Sequence, residues 1–244
     1  MKYRESGVAG YPSDNIMMLK TDPVLLQAEP EPLSLDLKRL AVMVIDMQNT
    51  FVSKGGRFDS RGFDVSIYQN TIKTIHNINA AARAKGIKVV YIAHTLSTDL
   101  RETGGPDHPY WHKAGHLRVY REQPDMRDKL IVRGTWGADI VKEIAPQEGD
   151  VLVEKPTFSA FHGTHLNTIL RTYNIKYLAF VGTATNICVE ASLRDAFNLG
   201  YFCILISDAT VAIGPDFMQD ATIYNVKSIY GWVTSSENIL KAIN

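Results

Sequence analysis

The feature that most limits what this chain can fold into is a recurring alternation that begins at Leu40. Short, continuous apolar runs are each followed by a stretch with helical periodicity. LAVMVID (40–46), IKVVYIAH (87–94), DVLVEKP (150–156), YLAFVG (177–182) and YFCILISDA (201–209) are the runs. Their lack of polar alternation predicts strands buried on both faces. Between them, apolar residues recur at helical spacing over 68–86, 137–145, 164–174, 188–200 and 216–231, and a last helix over 236–244 is capped at Ser235 or Ser236. GWVTS adds a short strand. Strands alternating with helices build βαβ units with right-handed crossovers. The expected fold is therefore α/β, a three-layer α/β/α sandwich on a central, mostly parallel six-stranded sheet.

Residues 1–35 lack this periodicity and are rich in Pro, Ser, Asp and Glu; they read as an extended N-terminal arm or a disordered tail, with one domain over 36–244. Lys and Arg (26) balance Asp and Glu (26), so the chain lacks the basic footprint of a nucleic-acid binder. Its N-terminus has no apolar signal region, and no run reaches the roughly 18 apolar residues of a membrane span. With two cysteines, Cys188 and Cys203, there is no disulfide framework, and a cytoplasmic location is expected.

In a parallel sheet, ligands bind beyond the carboxyl ends of the strands. Asp46, His94, Lys155 and Asp208 end four of the runs, and Cys188 follows a fifth at a helix start. Taken singly, Cys188 reads as buried filler, Lys155 as a solvated lysine and Asp46 as a cap. Together, an acid, a lysine and a thiol at successive strand ends point to a nucleophile with its activators. Cys203, inside YFCILI, reads as core.

These residues lie in three stretches, VMVIDMQNTFV (42–52), VEKPTFSAFHGTHL (153–166) and GTATNICVEASLRDA (182–196). They resemble those of the isochorismatase-like cysteine hydrolases. The resemblance implies a catalytic triad of Asp46, Lys155 and Cys188. It also implies a cis peptide between Thr183 and Ala184, and an oxyanion hole formed by the Ala184 and Cys188 amides. GGRFDSRGFDVS (55–66), ETGGPDHPYWHK (102–113), RGTWGADIVKEIAPQEGD (133–150) and YNVKSIYGWVT (224–234) look most like the ureidoacrylate amidohydrolase branch. The implied activity is cysteine-dependent hydrolysis of a carbamoyl C–N bond through a thioester. Biuret, triuret or N-carbamoylsarcosine are alternative substrates, and a non-catalytic binding protein is the alternative class.

That branch is expected to carry Asn and Trp where this chain has His94 and Leu96, whereas Glu102 is kept. Gln48, Asn49, Phe51, His94, Leu96, Glu102, Trp111 and Phe158 are the expected substrate contacts, with Tyr110 and His112 as further lid residues. Arg101, Arg118 and Arg121 are the cations within reach of a substrate carboxylate. The related nicotinamidases hold a metal through an Asp-x-His cluster; 55–66 has no histidine, so neither metal nor other cofactor is expected. A vinyl-ether-cleaving isochorismatase would not need the thiol. The resemblance also implies a homodimer or homotetramer acting on a small ureido or amide substrate.

Overall fold

The computed structural model describes residues 23–244. Two short strands, β1 (Val24–Leu26) and β2 (Leu33–Leu35), pair antiparallel. The central sheet follows, with β3 (Leu40–Ile45), β4 (Lys88–His94), β5 (Val151–Lys155), β6 (Tyr177–Thr183), β7 (Phe202–Val211) and β8 (Trp232–Thr234). They lie in the order β5-β4-β3-β6-β7-β8 and every neighbouring pair is parallel. The expected three-layer fold is thus present, with a wholly parallel main sheet. Helices α1 (Asn49–Val52), α2 (Arg57–Ser60), α3 (Tyr68–Ala84), α4 (Pro109–Lys113) and α5 (Gly115–Glu122) precede β5. After it come α6 (Leu166–Thr172), α7 (Glu190–Asn198), α8 (Phe217–Asn225) and α9 (Ser236–Ile243).

The unbroken apolar runs follow from this layering. In β3, Val42 and Val44 join one core cluster with Ile75 and Ile78 of α3 and Ile239 of α9. Ala41, Met43 and Ile45 join the opposite cluster with Leu166 and Leu170 of α6 and Leu193 of α7. Successive side chains alternate between faces, and both faces are covered, so no position favours a polar residue.

Three local departures from the sequence reading have physical causes. First, 137–145 is not a helix but two 3-10 turns, Trp136–Ala138 and Lys142–Ile144. Its backbone bonds run to the segment after β3 instead: Val141 N–H donates to Met47 O at 3.0 Å, and Asn49 N–H to Asp139 O at 2.9 Å. Second, the sequence puts Asp208 at a strand end, but β7 continues to Val211 through a register shift against β6. Asp208 Oδ1 and Oδ2 accept from the Ser236 amide (2.7 Å) and hydroxyl (2.6 Å), so the side chain holds the start of α9. Third, of the expected arm, 1–22 lies outside the described residues. The described remainder buries Leu26, Leu33 and Leu35 in the core and exchanges hydrogen bonds between Glu29 and Val233 of edge strand β8, at 2.8 and 2.9 Å. None of the described helices is long and apolar enough to cross a membrane.

Candidate active site

The strand order reverses about β3: β4 and β5 extend to one side of it, β6 to β8 to the other. Such a switch point opens a crevice beyond the carboxyl ends. Asp46 follows β3 with a positive φ of 50°, in the left-handed region that few residues other than glycine occupy. Gly182 of β6 has a φ of 114°, and a Cβ there would lie 2.1 Å from Ile45 O, so only glycine lets β6 approach β3 this closely. The Thr183–Ala184 peptide is cis. A π-helical turn, Thr185–Val189, then carries Cys188 into α7.

This construction brings the three expected triad residues into contact. Lys155 Nζ lies 2.9 Å from Asp46 Oδ2, with both side chains essentially inaccessible to solvent. Lys155 also donates to Cys188 Sγ at 3.4 Å and to Thr157 O at 2.9 Å. Neither Asp46 oxygen has a well-aligned hydrogen-bond donor among the described residues, the 2.9 Å ion pair being poorly directed. A carboxylate left short of donors is a stronger base. Burial pushes the Asp46 pKa up, against the opposing pull of Lys155. Burial also raises the Cys188 thiol, and the Asp46 charge adds to it. Burial alone would lower Lys155, but Asp46 and then Cys188 outweigh it and hold its pKa up.

These directions favour Lys155 as the ammonium and Cys188 as the neutral thiol, and the ion pair with Lys155 favours Asp46 as the carboxylate. Moving the thiol proton to Asp46 leaves the total charge of the buried group unchanged. A thiolate formed by losing that proton to solvent would add an uncompensated charge to the interior. The donor atoms of Asp46, His94 and Cys188 lie within 4.8 Å of one another, and the cation set against two of these residues is the Lys155 ammonium.

Asp46, Ala184 and Cys188 open on a cavity of about 410 Å3, to which His94, Phe51 and Phe158 also contribute. The other expected contacts lie elsewhere. Gln48 is buried and clamps the end of β4, accepting from His94 N–H at 2.8 Å and donating to His94 O at 3.0 Å and Ala138 O at 2.8 Å. Asn49 donates to Trp136 O at 2.9 Å, which secures the rearranged 136–145 segment. Leu96 is buried and its backbone bonds Ile131 and Arg133. Glu102 accepts from the Ser97 hydroxyl at 2.6 Å, closing a loop turn. Trp111 lies under the Arg121 guanidinium, 4.6 Å from its ring centroid. Arg101 pairs with Asp99, and Arg118 is exposed; none of the three expected arginines lines the cavity.

The residues that take their place are Arg57 and Arg61, with Phe58 and Phe63 nearby, and Lys113 and His116 from the loop after β4. Their signal in the sequence is faint: two arginines four apart in GGRFDSRG, shortly after Asp46. His116 belongs to a buried chain in which its Nε2 lies 2.9 Å from Tyr110 Oη, itself 2.6 Å from His94 Nε2. Burial holds both histidines well below their usual value of 6.5, helped by Lys155, His116 and Arg57 at His94, and by Arg57 and Lys155 at His116. Both are neutral in the folded protein. The unfolded chain takes up protons on them below pH about 6.5, so stability present above that pH is lost as pH falls. Two such groups give a slope of up to ~2.7 kcal/mol per pH unit. Urea titrations from pH 7.5 down to 5 are expected to show it, and a His94→Asn/His116→Asn double variant to flatten it. An equally steep profile in the double variant would remove the histidines as the cause.

The family model for the isochorismatase domain matches residues 40–238. The ureidoacrylate amidohydrolase RutB of Agrobacterium fabrum is 45% identical over 219 residues, covering 90% of this chain and 96% of that protein. Among solved structures, a cysteine hydrolase from Pseudomonas syringae pv. phaseolicola superposes with a TM-score of 0.72 at 24% identity, covering 92% of this chain and 98% of that one. N-carbamoylsarcosine amidase from Thermoplasma acidophilum gives 0.62 at 25%, covering 82% and 97%. The chain belongs to the isochorismatase family.

Proposed function

We propose that this protein is a cysteine amidohydrolase that cleaves a carbamoyl C–N bond of a small ureido compound of the ureidoacrylate type. The observation that carries this reading is the buried contact of Lys155 with both Asp46 and Cys188 at the wall of the cavity. Asp46 takes the Cys188 proton as the sulfur attacks the carbamoyl carbon, and Lys155 holds both partners in line. The developing oxyanion is received by the Ala184 and Cys188 amides. Asp46 returns the proton to the leaving nitrogen, the C–N bond breaks and the amine departs, leaving a carbamoyl thioester on Cys188. Water, deprotonated by Asp46, cleaves the thioester to carbamate and the free thiol, and carbamate decomposes to ammonia and carbon dioxide. The likeness to the A. fabrum ureidoacrylate amidohydrolase supports the ureido substrate class.

The test is ammonia release from ureidoacrylate, biuret, triuret, N-carbamoylsarcosine and nicotinamide. Turnover is expected from ureido compounds, with ureidoacrylate giving the highest kcat/KM. Turnover of nicotinamide alone would refute the ureido reading while leaving a cysteine amidohydrolase.

A further inference from the structure

The cavity wall carries a guanidinium with no partner. Arg57, at the start of α2, lines the same cavity as Cys188. Its side chain makes no ion pair or hydrogen bond among the described residues, and its Nε is completely buried. It lies over aromatic rings, 4.7 Å from the Phe58 centroid and 5.8 Å from that of Phe51. Burial first, then the like charge of Arg61, lowers its pKa to about 10. Lys113 adds a third cation to the wall, and no carboxylate among the described residues pairs with any of the three. Gly115 packs against this side chain: a Cβ there would lie 3.1 Å from Arg57 Nη1.

A partly buried cation held without a counter-ion beside another cation is costly, and a ligand carboxylate would supply the missing charge. The guanidinium fork matches a carboxylate in two parallel hydrogen bonds, and the phenylalanines around it would exclude water and strengthen them. We propose that Arg57 is the carboxylate-binding residue of the active site, so that the substrate is a ureido acid whose carboxylate is held at Arg57 while its carbamoyl group faces Cys188. This rests on the cysteine amidohydrolase reading and narrows it: among ureido compounds, anionic acids are favoured over neutral ureas such as biuret. Arg61 and Lys113 attract the anion to the mouth, and Arg57 anchors it.

The test separates anion recognition from turnover by using the thiol itself as reporter. Alkylation of Cys188 by iodoacetate and by iodoacetamide differs only in the carboxylate, and mass spectrometry reads both rates. In Arg57→Gln the iodoacetate-to-iodoacetamide rate ratio is expected to fall at least ~10-fold, with Arg57→Lys between the two because it keeps the charge and loses the fork. In parallel, the kcat/KM ratio for ureidoacrylate over biuret is expected to fall at least ~10-fold in Arg57→Gln, mainly through KM. On the wild-type protein, which needs no variant to fold, propionate should slow iodoacetamide alkylation and propionamide at equal concentration should not. An unchanged alkylation ratio in Arg57→Gln, or equal protection by propionate and propionamide, overturns the assignment. If no ureido compound turns over but the alkylation ratio still falls, the carboxylate site stands and the ureido reading fails.

Discussion

Replacing Lys155 with Met is expected to remove activity and to destabilise the protein by about 3–5 kcal/mol near neutral pH. Methionine fills a similar volume, so the loss is not a cavity effect. It is the cost of leaving Asp46 ionised in the interior without its counter-charge, where burial already raises its pKa. The pH dependence identifies the cause. Without Lys155 the Asp46 pKa rises further above that of the unfolded chain, so the folded state binds a proton that the unfolded state does not. The variant's stability deficit must then shrink as pH falls through that raised pKa. Denaturant midpoints of wild type and variant should converge toward acid. A deficit constant from pH 8 to 5 would assign the effect to packing instead. Activity would fall by ~10^3-fold or more at every pH, because a protonated Asp46 is no base and a thiolate has no countercharge.

Cys188→Ala gives the opposite pattern: loss of turnover by about 10^4-fold or more with little change in stability. The alanine keeps the Asp46–Lys155 pair neutral and deletes one weak acceptor, which costs on the order of 1 kcal/mol. In the wild type, brief exposure to substrate should leave a carbamoyl adduct on the Cys188 peptide and none on Cys203, which is fully buried with its thiol pushed up to about 12. Near-normal hydrolysis by Cys188→Ala would refute the nucleophile assignment.

Both expectations were within reach of the sequence because the fold rule that locates the site needs only strand ends. Asp46 and Cys188 follow buried apolar runs, whereas Lys155 ends the edge strand β5, whose Leu152 and Glu154 are exposed rather than buried on both faces; a parallel sheet brings all three ends together whatever the loops do. Asp208 shows the same pattern in the sequence but lies within β7, because the strand resumes beyond the polar Ser207 and Asp208 through a register shift that the sequence does not reveal. The pocket contacts failed for another reason. Gln48 and Asn49 sit beside Asp46 in sequence, but a chain leaving a strand end turns, and their amides went to satisfy backbone groups of 136–145. Adjacency to a catalytic residue says little about which way the next side chain faces. Conversely, Arg57 and His116 come from the short helices α2 and α5, outside the longer repeating strand–helix units, and only their shared cavity gives them meaning.

The position of β3 between the two halves of the sheet also bears on how the molecule acquires its reactivity. On the proposed mechanism, the chain before residue 156 supplies the base Asp46 and its ion-pair partner Lys155, and the chain after it supplies the nucleophile Cys188. Chain growth delivers the halves in that order. A nascent chain thus carries no armed thiol until β6 docks beside β3, and a molecule opened along that seam is disarmed by the same separation. Reactivity at Cys188 is in effect a report that the two halves have met.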